Sequence, residues 1–402
     1  MAEHYRLYGG EISYYTGKAR AYLRFKGIPF DEVHATRDIY REIILPRVGW
    51  PVIPVVVTPE DETLQDTTDI IDTLEVRFPG RSVYPAGPRQ RLAALLLEVY
   101  GDEWLKIPAM HYRWNHNTDW IIEQFGLLSK PDASPEEARE IGAKTCRPFR
   151  GSLPPLGVNE TTMPAIEASY EALLGELDAH FAQHSYLFGD RPSIGDFGLI
   201  GPLYAHQFRD PASGELMHRL APHVVAWVER MMEGKMRGAE RRHGDRRGTE
   251  DRRAEERDQE DRREGERRGS EGGDFLPDDA IPETLMPVLR RMVDEQFPVL
   301  DATLRAFDAW ADEHPEEPVP RGLGMHAFTL GRGTPQEVTS ERACFTFDLW
   351  MFQRPRDFFA GLTGAHRDAC EALMREIGGL EPLTRPVKHR LARENFRLVQ
   401  AA

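Results

Sequence analysis

The first 80 residues alternate between strand-like and helix-like patterns, and this alternation restricts the possible folds more than any other feature of the chain. Strands are expected where β-branched and aromatic residues lie between turn residues, and helices where apolar residues recur every three or four positions. The predicted elements are strands at 5–8, 28–33, 53–58 and 63–64 and helices at 14–26, 37–45 and 67–78. The order β-α-β-α-β-β-α predicts an α+β, thioredoxin-like domain over residues 1–83.

A proline- and glycine-rich link at 85–88 separates this domain from a region of helical periodicity. The predicted helices lie at 90–105, 163–181, 193–204, 223–232 and 283–311. Strand alternation competes with the helical pattern only at 326–330. We therefore expect an all-α helical-bundle domain over 88–234 and a helical extension over 275–402 that packs on it.

Charged residues dominate the stretch 239–271, where 23 of 33 residues are Arg, Asp or Glu. Such a composition cannot bury enough apolar surface to offset the entropy lost on ordering. We expect a charged, disordered insertion over 235–274. The alternative is a docking segment for a charged partner.

The formal net charge of −15 argues against a nucleic-acid partner or a polybasic contact with a membrane. The longest apolar runs fall far short of the ~18 residues that span a bilayer, and no secretory signal pattern opens the chain. Three widely separated cysteines exclude a disulfide framework and favour a reducing compartment. These features predict a cytoplasmic protein.

Four motifs resemble those of the glutathione transferase superfamily and occur in the family's order. They are Ser13 to Arg20 with the following AYLRFKGIPF, Val52-Ile53-Pro54-Val55, LQDTTDIIDTLE at 64–75, and FGDRPSIGDF at 188–197. The resemblance covers residues 5 to about 233. It implies a domain that binds glutathione as co-substrate without a metal, followed by a helical domain that binds a second, apolar substrate.

Ser13 stands immediately before the first predicted helix. A thiol has an ordinary pKa of about 8.5, so glutathione must become a thiolate to attack at neutral pH. A hydroxyl at a helix N-terminus stabilises S⁻ by donating a hydrogen bond next to the positive end of the helix. The alternative is a plain N-cap serine.

Tyr8 is the competing catalytic hydroxyl, because it ends the first strand, where other classes of the family carry a tyrosine. Tyr15 is a further donor expected at the rim of the glutathione site. The lack of a cysteine before Cys146 argues against the thiol-transferase branches.

Two further motifs suit the peptide part of glutathione. A cis bond at Ile53-Pro54 would present the Ile53 backbone to an extended peptide, with an ordinary trans edge proline as the alternative. Asp66-Thr67, in place of the family's Glu-Ser, begins the third helix, where a helix N-terminus binds a carboxylate and an acid pairs with an α-amino group. The alternative is a helix cap without a ligand.

The resemblance implies that the first helix of the helical domain lines the second-substrate site. The aromatic and histidine candidates there are Tyr100, Trp104, His111, Tyr112 and Trp114, with core packing as the alternative for each. His111 and His116, with the acids Glu98, Asp102 and Glu103 nearby in sequence, also invite a metal-site interpretation. Because their spacing offers no third ligand in register, we expect no metal.

The sequence thus predicts a glutathione transferase that adds the thiolate to an apolar electrophile. The alternatives are a glutathione-dependent isomerase or dehalogenase and a non-catalytic module that keeps the fold for binding or assembly. A homodimer, usual in the family, is possible. Ser193-Ile-Gly-Asp196 is expected to be a structural capping box.

Overall fold

The computed structural model describes residues 4–234 and 273–401, which begin with a four-stranded mixed sheet in the order β2-β1-β3-β4. Its strands are β1 (Tyr5–Gly9), β2 (Phe30–His34), β3 (Val55–Val57) and β4 (Thr63–Gln65). Its helices are α1 (Tyr14–Lys26), α2 (Arg37–Ile39), which continues through a π-helical turn (Tyr40–Ile44) into α3 (Leu45–Val48), and α4 (Thr67–Arg77). β1 pairs with β2 in parallel and with β3 antiparallel. The predicted thioredoxin-like order is confirmed.

The two faces of the sheet are covered by different helices. Leu7 and Val56 belong to the core that also contains the buried residues of α1 and α4. Tyr8, Val55 and Val57 point to the other face, into a cluster with residues of α2, the π-helical turn and α3. Alternate residues of a strand point to opposite faces, so the strand pattern determines which helix each side chain meets.

The second domain is helical, as predicted. Its elements are α5 (Pro88–Val99), a π-helical turn (Tyr100–Trp104), α6 (Lys106–Asn115), α7 (Thr118–Ser129), α8 (Pro135–Thr145), α9 (Arg147–Arg150), α10 (Met163–Phe181), α11 (Ile194–Pro202), a second π-helical turn (Leu203–Phe208), α12 (Pro211–Leu220) and α13 (Pro222–Glu233). The predicted capping box is present: Asp196 Oδ2 accepts from Ser193 N at 2.8 Å. Asp196 Oδ1 accepts from Trp227 Nε1 at 3.1 Å, so the box also fastens α11 to α13.

The part of the chain after residue 273 is helical with two β-hairpins added, so the prediction of a purely helical extension was incomplete. Its elements are 3₁₀ turns (Pro277–Asp279, Glu283–Leu285), α14 (Met286–Glu313), β5 (Gly322–Leu330), β6 (Val338–Phe345), α15 (Thr346–Ala360), α16 (Gly364–Glu376), α17 (Leu380–Thr384), β7 (Leu391–Glu394) and β8 (Arg397–Gln400). In β6 an inward position holds the fully buried Arg342, so the apolar/polar alternation that marks a strand fails there.

The predicted charged insertion lies outside the described residues except at its end. Asp190 N donates to Asp274 O at 3.0 Å, and Leu276 N donates to Phe188 O at 2.8 Å. The chain is therefore paired with the second domain before residue 275, where the insertion was expected to end.

The extension contacts both domains. Gln296 Nε2 of α14 donates to Val99 O at 3.1 Å. Arg354 of α15 pairs with Glu98 of α5 and, at 3.0 Å, with Asp72 of α4. In the described part of the chain no helix is both long and apolar enough to cross a membrane.

A buried ion cluster joins the first helix to the second domain. Lys18 Nζ of α1 lies 2.8 Å from Glu98 Oε1 and 2.6 Å from Asp102 Oδ2, and all three side chains are buried. Thr68 of α4 donates to Glu98 Oε1 at 3.1 Å. Burial lowers the pKa of Lys18, but the charges of Asp102 and Glu98 outweigh burial and the pKa is raised. Lys18 is therefore held as a cation between two carboxylates.

Lys18→Met should lower the free energy of unfolding by about 3–5 kcal/mol, because it leaves buried carboxylates without their cation. Lys144→Met is the matched control, since the Lys144–Glu140 pair is exposed and exposed pairs contribute little to stability. Denaturant unfolding at pH 7 measures both. Equal losses in the two variants would contradict the structural role of the cluster.

Candidate functional site

The three motifs predicted to bind glutathione meet at one end of the sheet. The strand register places Tyr8, Val55 and Gln65 side by side. β1 and β4 run toward this end and β3 runs away from it. The segments that adjoin it are therefore residues 10–13 after β1, 53–54 before β3 and 66–67 after β4.

Ser13 is the N-cap of α1. Its Oγ accepts from Thr16 N at 3.3 Å, and its carbonyl accepts from Gly17 N at 3.1 Å. The backbone is extended at Ser13 (φ −85°, ψ 123°), and the side chain is only partly buried. Because Oγ accepts in the cap, the hydroxyl hydrogen remains free to be donated. The cap and the donor interpretations are therefore compatible.

The loop before Ser13 is held from the second domain. Arg113 of α6 donates to Ile12 O at 2.8 Å and pairs with the buried Asp210 at 2.7 Å. Tyr14, next in the chain, donates its hydroxyl to Gly101 O. These hydrogen bonds hold the start of α1 against the second domain.

Tyr15 links the domains through its hydroxyl, which donates to Asp102 O at 3.0 Å. Burial, followed by the charges of Glu103 and of nearby acids including Asp66, raises the pKa of Tyr15 well above its ordinary value. Tyr15 therefore stays a neutral phenol, and its hydroxyl proton is donated to the backbone carbonyl of Asp102.

Tyr8 lies away from α1. Its side chain is 3% exposed and packs in the cluster on the α2–α3 face of the sheet. Ser13 adjoins the opposite face, on which α1 packs. The two candidate hydroxyls thus have different environments, one in an apolar cluster and one at a helix N-terminus.

The second and third motifs have the predicted local geometry. The Ile53-Pro54 peptide bond is cis. Asp66 has φ 76°, and its Oδ1 accepts from Thr68 N at 2.9 Å, so it caps α4. Thr67 is buried, whereas Asp66 is only partly buried. The second carboxylate oxygen of Asp66 is not used by the cap.

The expected second-substrate residues contact other helices, as in the core-packing alternative. Tyr100 OH and Trp104 Nε1 both donate to Glu295 Oε2 of α14, at 3.1 and 2.9 Å. His111 hydrogen-bonds Glu167 of α10, and Tyr112 packs edge-on against Tyr170, also of α10.

Trp114 is likewise buried, and it stacks on Phe125 of α7. Gly101 and Asp102, in the turn after α5, are the residues that contact α1. The sequence could not reveal which face of this region meets α1, because apolar residues occur on several of its faces.

Sequence reasoning noted Asp102 and Glu103 only as acids near His111 and His116, and did not place this pair beside Tyr15. Asp102 and Glu103 are both buried. Burial raises the pKa of Asp102, and the charge of Lys18 opposes this shift. Burial likewise raises the pKa of Glu103 well above its ordinary value, against the opposing charge of Lys106. The available signal was two adjacent acids in a helical segment otherwise rich in apolar residues.

The extension borders the site, which no local sequence signal indicated. Arg393 of β7 donates to Gln65 Oε1 at 2.6 Å and to Gln65 O at 3.3 Å, directly before Asp66. The Arg321 guanidinium lies 4.8 Å from the ring centre of Trp50. Phe396, in the turn between β7 and β8, packs on the Tyr8 cluster.

Comparison with known proteins identifies both domains. Residues 7–82 match the family model of the glutathione S-transferase N-terminal domain, and residues 160–230 match that of the C-terminal domain. No curated protein matches the sequence significantly.

Solved structures with similarity include the beta-etherase LigF from Sphingobium sp. strain SYK-6, with 16% identity, TM-score 0.42, and coverage of 56% of this chain and 94% of that one. Glutathione transferase GSTFuA3 from Phanerochaete chrysosporium has 16% identity and TM-score 0.42, over 58% and 98% of the two chains. A glutathione S-transferase from Sinorhizobium meliloti 1021 has 18% identity and TM-score 0.38, over 60% and 95%.

The two domain models match in the family's order, on the thioredoxin-like sheet and on the helical domain. Residues 7–82 and 160–230 therefore carry the glutathione S-transferase N-terminal and C-terminal domains.

Proposed function

We propose that this protein is a glutathione transferase-like enzyme in which the Ser13 hydroxyl stabilises the glutathione thiolate as it attacks an electrophilic carbon of a small apolar molecule. One observation carries the proposal. The strand register brings Ser13, the cis Ile53-Pro54 turn and the Asp66 cap to the same end of the sheet. A hydroxyl donor, the backbone beside a cis proline and an acid therefore lie at the same end of the sheet.

The start of α1 supplies two kinds of donor to a thiolate. Ser13 can donate its hydroxyl hydrogen, since its oxygen already accepts from Thr16 N. The first N–H groups of a helix have no partner within the helix and carry its positive dipole end. Both favour S⁻ over SH, so glutathione bound here should titrate below the ordinary thiol pKa of about 8.5.

The peptide part of glutathione fits the other two segments. An extended peptide can pair with the Ile53 backbone just before β3, at the end of the sheet. Asp66 uses Oδ1 to cap α4, which leaves Oδ2 for the α-amino group of the γ-glutamyl residue. The N-terminus of the 11-residue helix α4 suits the neighbouring carboxylate.

A second candidate function is a non-catalytic binding module. Arg393 of the extension donates hydrogen bonds to Gln65 and Asp69, on either side of the proposed glutamyl subsite. An extension that contacts the site in this way is compatible with a protein that no longer turns over substrate. The two functions differ at their first step, because an enzyme must lower the pKa of bound glutathione.

Ser13→Ala should raise the pKa of the bound glutathione thiol by about 1–2 units, since one charge-assisted hydrogen bond is worth about 1.5–3 kcal/mol and one unit is 1.36 kcal/mol. The thiolate absorbance of bound glutathione against pH measures the shift. Ser13→Gly should give the same shift while preserving most of the cap energy.

Tyr8→Phe is the control for that titration and should leave the pKa of bound glutathione unchanged. A shift in Tyr8→Phe alone would transfer the catalytic role to Tyr8. Glutathione binding at millimolar ligand with no lowered pKa, or no binding at all, would remove the transferase proposal and favour the binding module.

Asp66→Asn should weaken glutathione binding about 10-fold to 100-fold without destabilising the fold. Asparagine caps helices as well as aspartate and tolerates positive φ, so the variant removes only the charge that pairs with the α-amino group. Asp61→Asn, at the β3–β4 turn with φ 69°, is the matched control. Calorimetric titration with glutathione distinguishes them, and equal affinity in both variants would argue against the Asp66 contact.

A further inference from the structure

Two histidines at the end of α6 and a glutamate of α10 converge in the helical domain. Nε2 of His111 and Nε2 of His116 each lie 2.9 Å from Glu167 Oε1. The three ligand atoms are all within 4.8 Å of one another. The two imidazole rings stand nearly perpendicular, with centroids 5.1 Å apart, so their nitrogens approach the carboxylate from different directions.

This arrangement overturns the reason for expecting no metal. The sequence offered two histidines without a third ligand in register. The structure supplies it from α10, 51 residues beyond His116. The helix packing that brings α10 against α6 is what completes the set.

We propose that His111, His116 and Glu167 bind a divalent transition-metal ion, Zn²⁺ in preference to others, with water in the remaining positions. Two imidazole nitrogens and one carboxylate oxygen are a donor set that zinc accepts in proteins when a position is left to water. The proposal is independent of glutathione and of Ser13.

The environment supports ligation over a simple hydrogen-bonded cluster. His111 is buried, so its ring is fixed, while His116 and Glu167 are open enough for an ion to reach them. Asn115 Nδ2 lies 2.9 Å from His111 Nδ1. A 180° rotation of the amide group would turn its oxygen toward Nδ1–H and leave the Nε2 lone pair free for a metal.

Such an outer partner is what metal-binding histidines regularly have. Burial, followed by the charges of Glu167 and Glu171, raises the pKa of Tyr112, so Glu171 adds negative charge to this region. A bound cation would offset that charge and fasten the end of α6 to α10.

Titration of the chelator-stripped full-length protein with Co²⁺ tests the site, because protein-bound Co²⁺ absorbs visibly and Zn²⁺ displaces it. The wild type should bind one Co²⁺ per chain at this site. His116→Gln and Glu167→Gln should each weaken binding by more than the roughly 10-fold to 100-fold that loss of an outer-shell partner costs. Asn115→Leu should fall within that range.

His366→Gln, an exposed histidine on α16 outside the cluster, is the matched control and should bind Co²⁺ like the wild type. Circular dichroism confirms that each variant is folded. Wild-type affinity equal to that of Glu167→Gln would overturn the proposal. So would an absorption spectrum with sulfur-to-cobalt charge transfer, since it would assign the ion to a cysteine.

Discussion

The buried ammonium of Lys18 is the interaction on which the arrangement of this protein depends. It stands between Glu98 and Asp102, so α1 cannot move relative to α5 without exposing or unpairing a buried charge. The hydrogen bonds of Tyr14 and Tyr15 to the backbone at Gly101 and Asp102 also join α1 to the second domain. The N-terminus of α1, where Ser13 lies, is therefore positioned by the second domain as much as by its own sheet.

The extension shares in the same cluster and changes which surfaces are free. Arg354 adds a second cation to Glu98, so that carboxylate is common to α1, α5 and α15. Glu295 of α14 accepts hydrogen bonds from both Tyr100 and Trp104. Through Glu98 and Glu295 the extension thus helps to hold the helical segment that carries Asp102 against α1.

Sequence reasoning succeeded where the determinant is local. The cis Ile53-Pro54 bond, the Ser13 and Asp66 caps and the Ser193–Asp196 box each depend on a few consecutive residues. It failed where the determinant is a distant contact: Glu295 and Glu167 reach their partners across the helical domain. Phe396 also depends on a distant contact that the sequence does not reveal. Its φ of 62° is unfavourable for an aromatic residue and is held by packing on the Tyr8 cluster.

The charges around α1 constrain how a thiolate could be stabilised at Ser13. Lys18 is shared by Glu98 and Asp102, and Arg20 lies 2.8 Å from Glu11 and pairs with Glu32. Arg113 is bound to Asp210. Each of these cations is already neutralised by a carboxylate, so none offers its full charge to a sulfur anion. Stabilisation must come from close dipoles, the Ser13 hydroxyl and the first N–H groups of α1, whose effect falls off within about one helical turn. A thiolate placed even a few ångströms away would lose it, which makes the position of α1, and hence the Lys18 cluster, part of the chemistry.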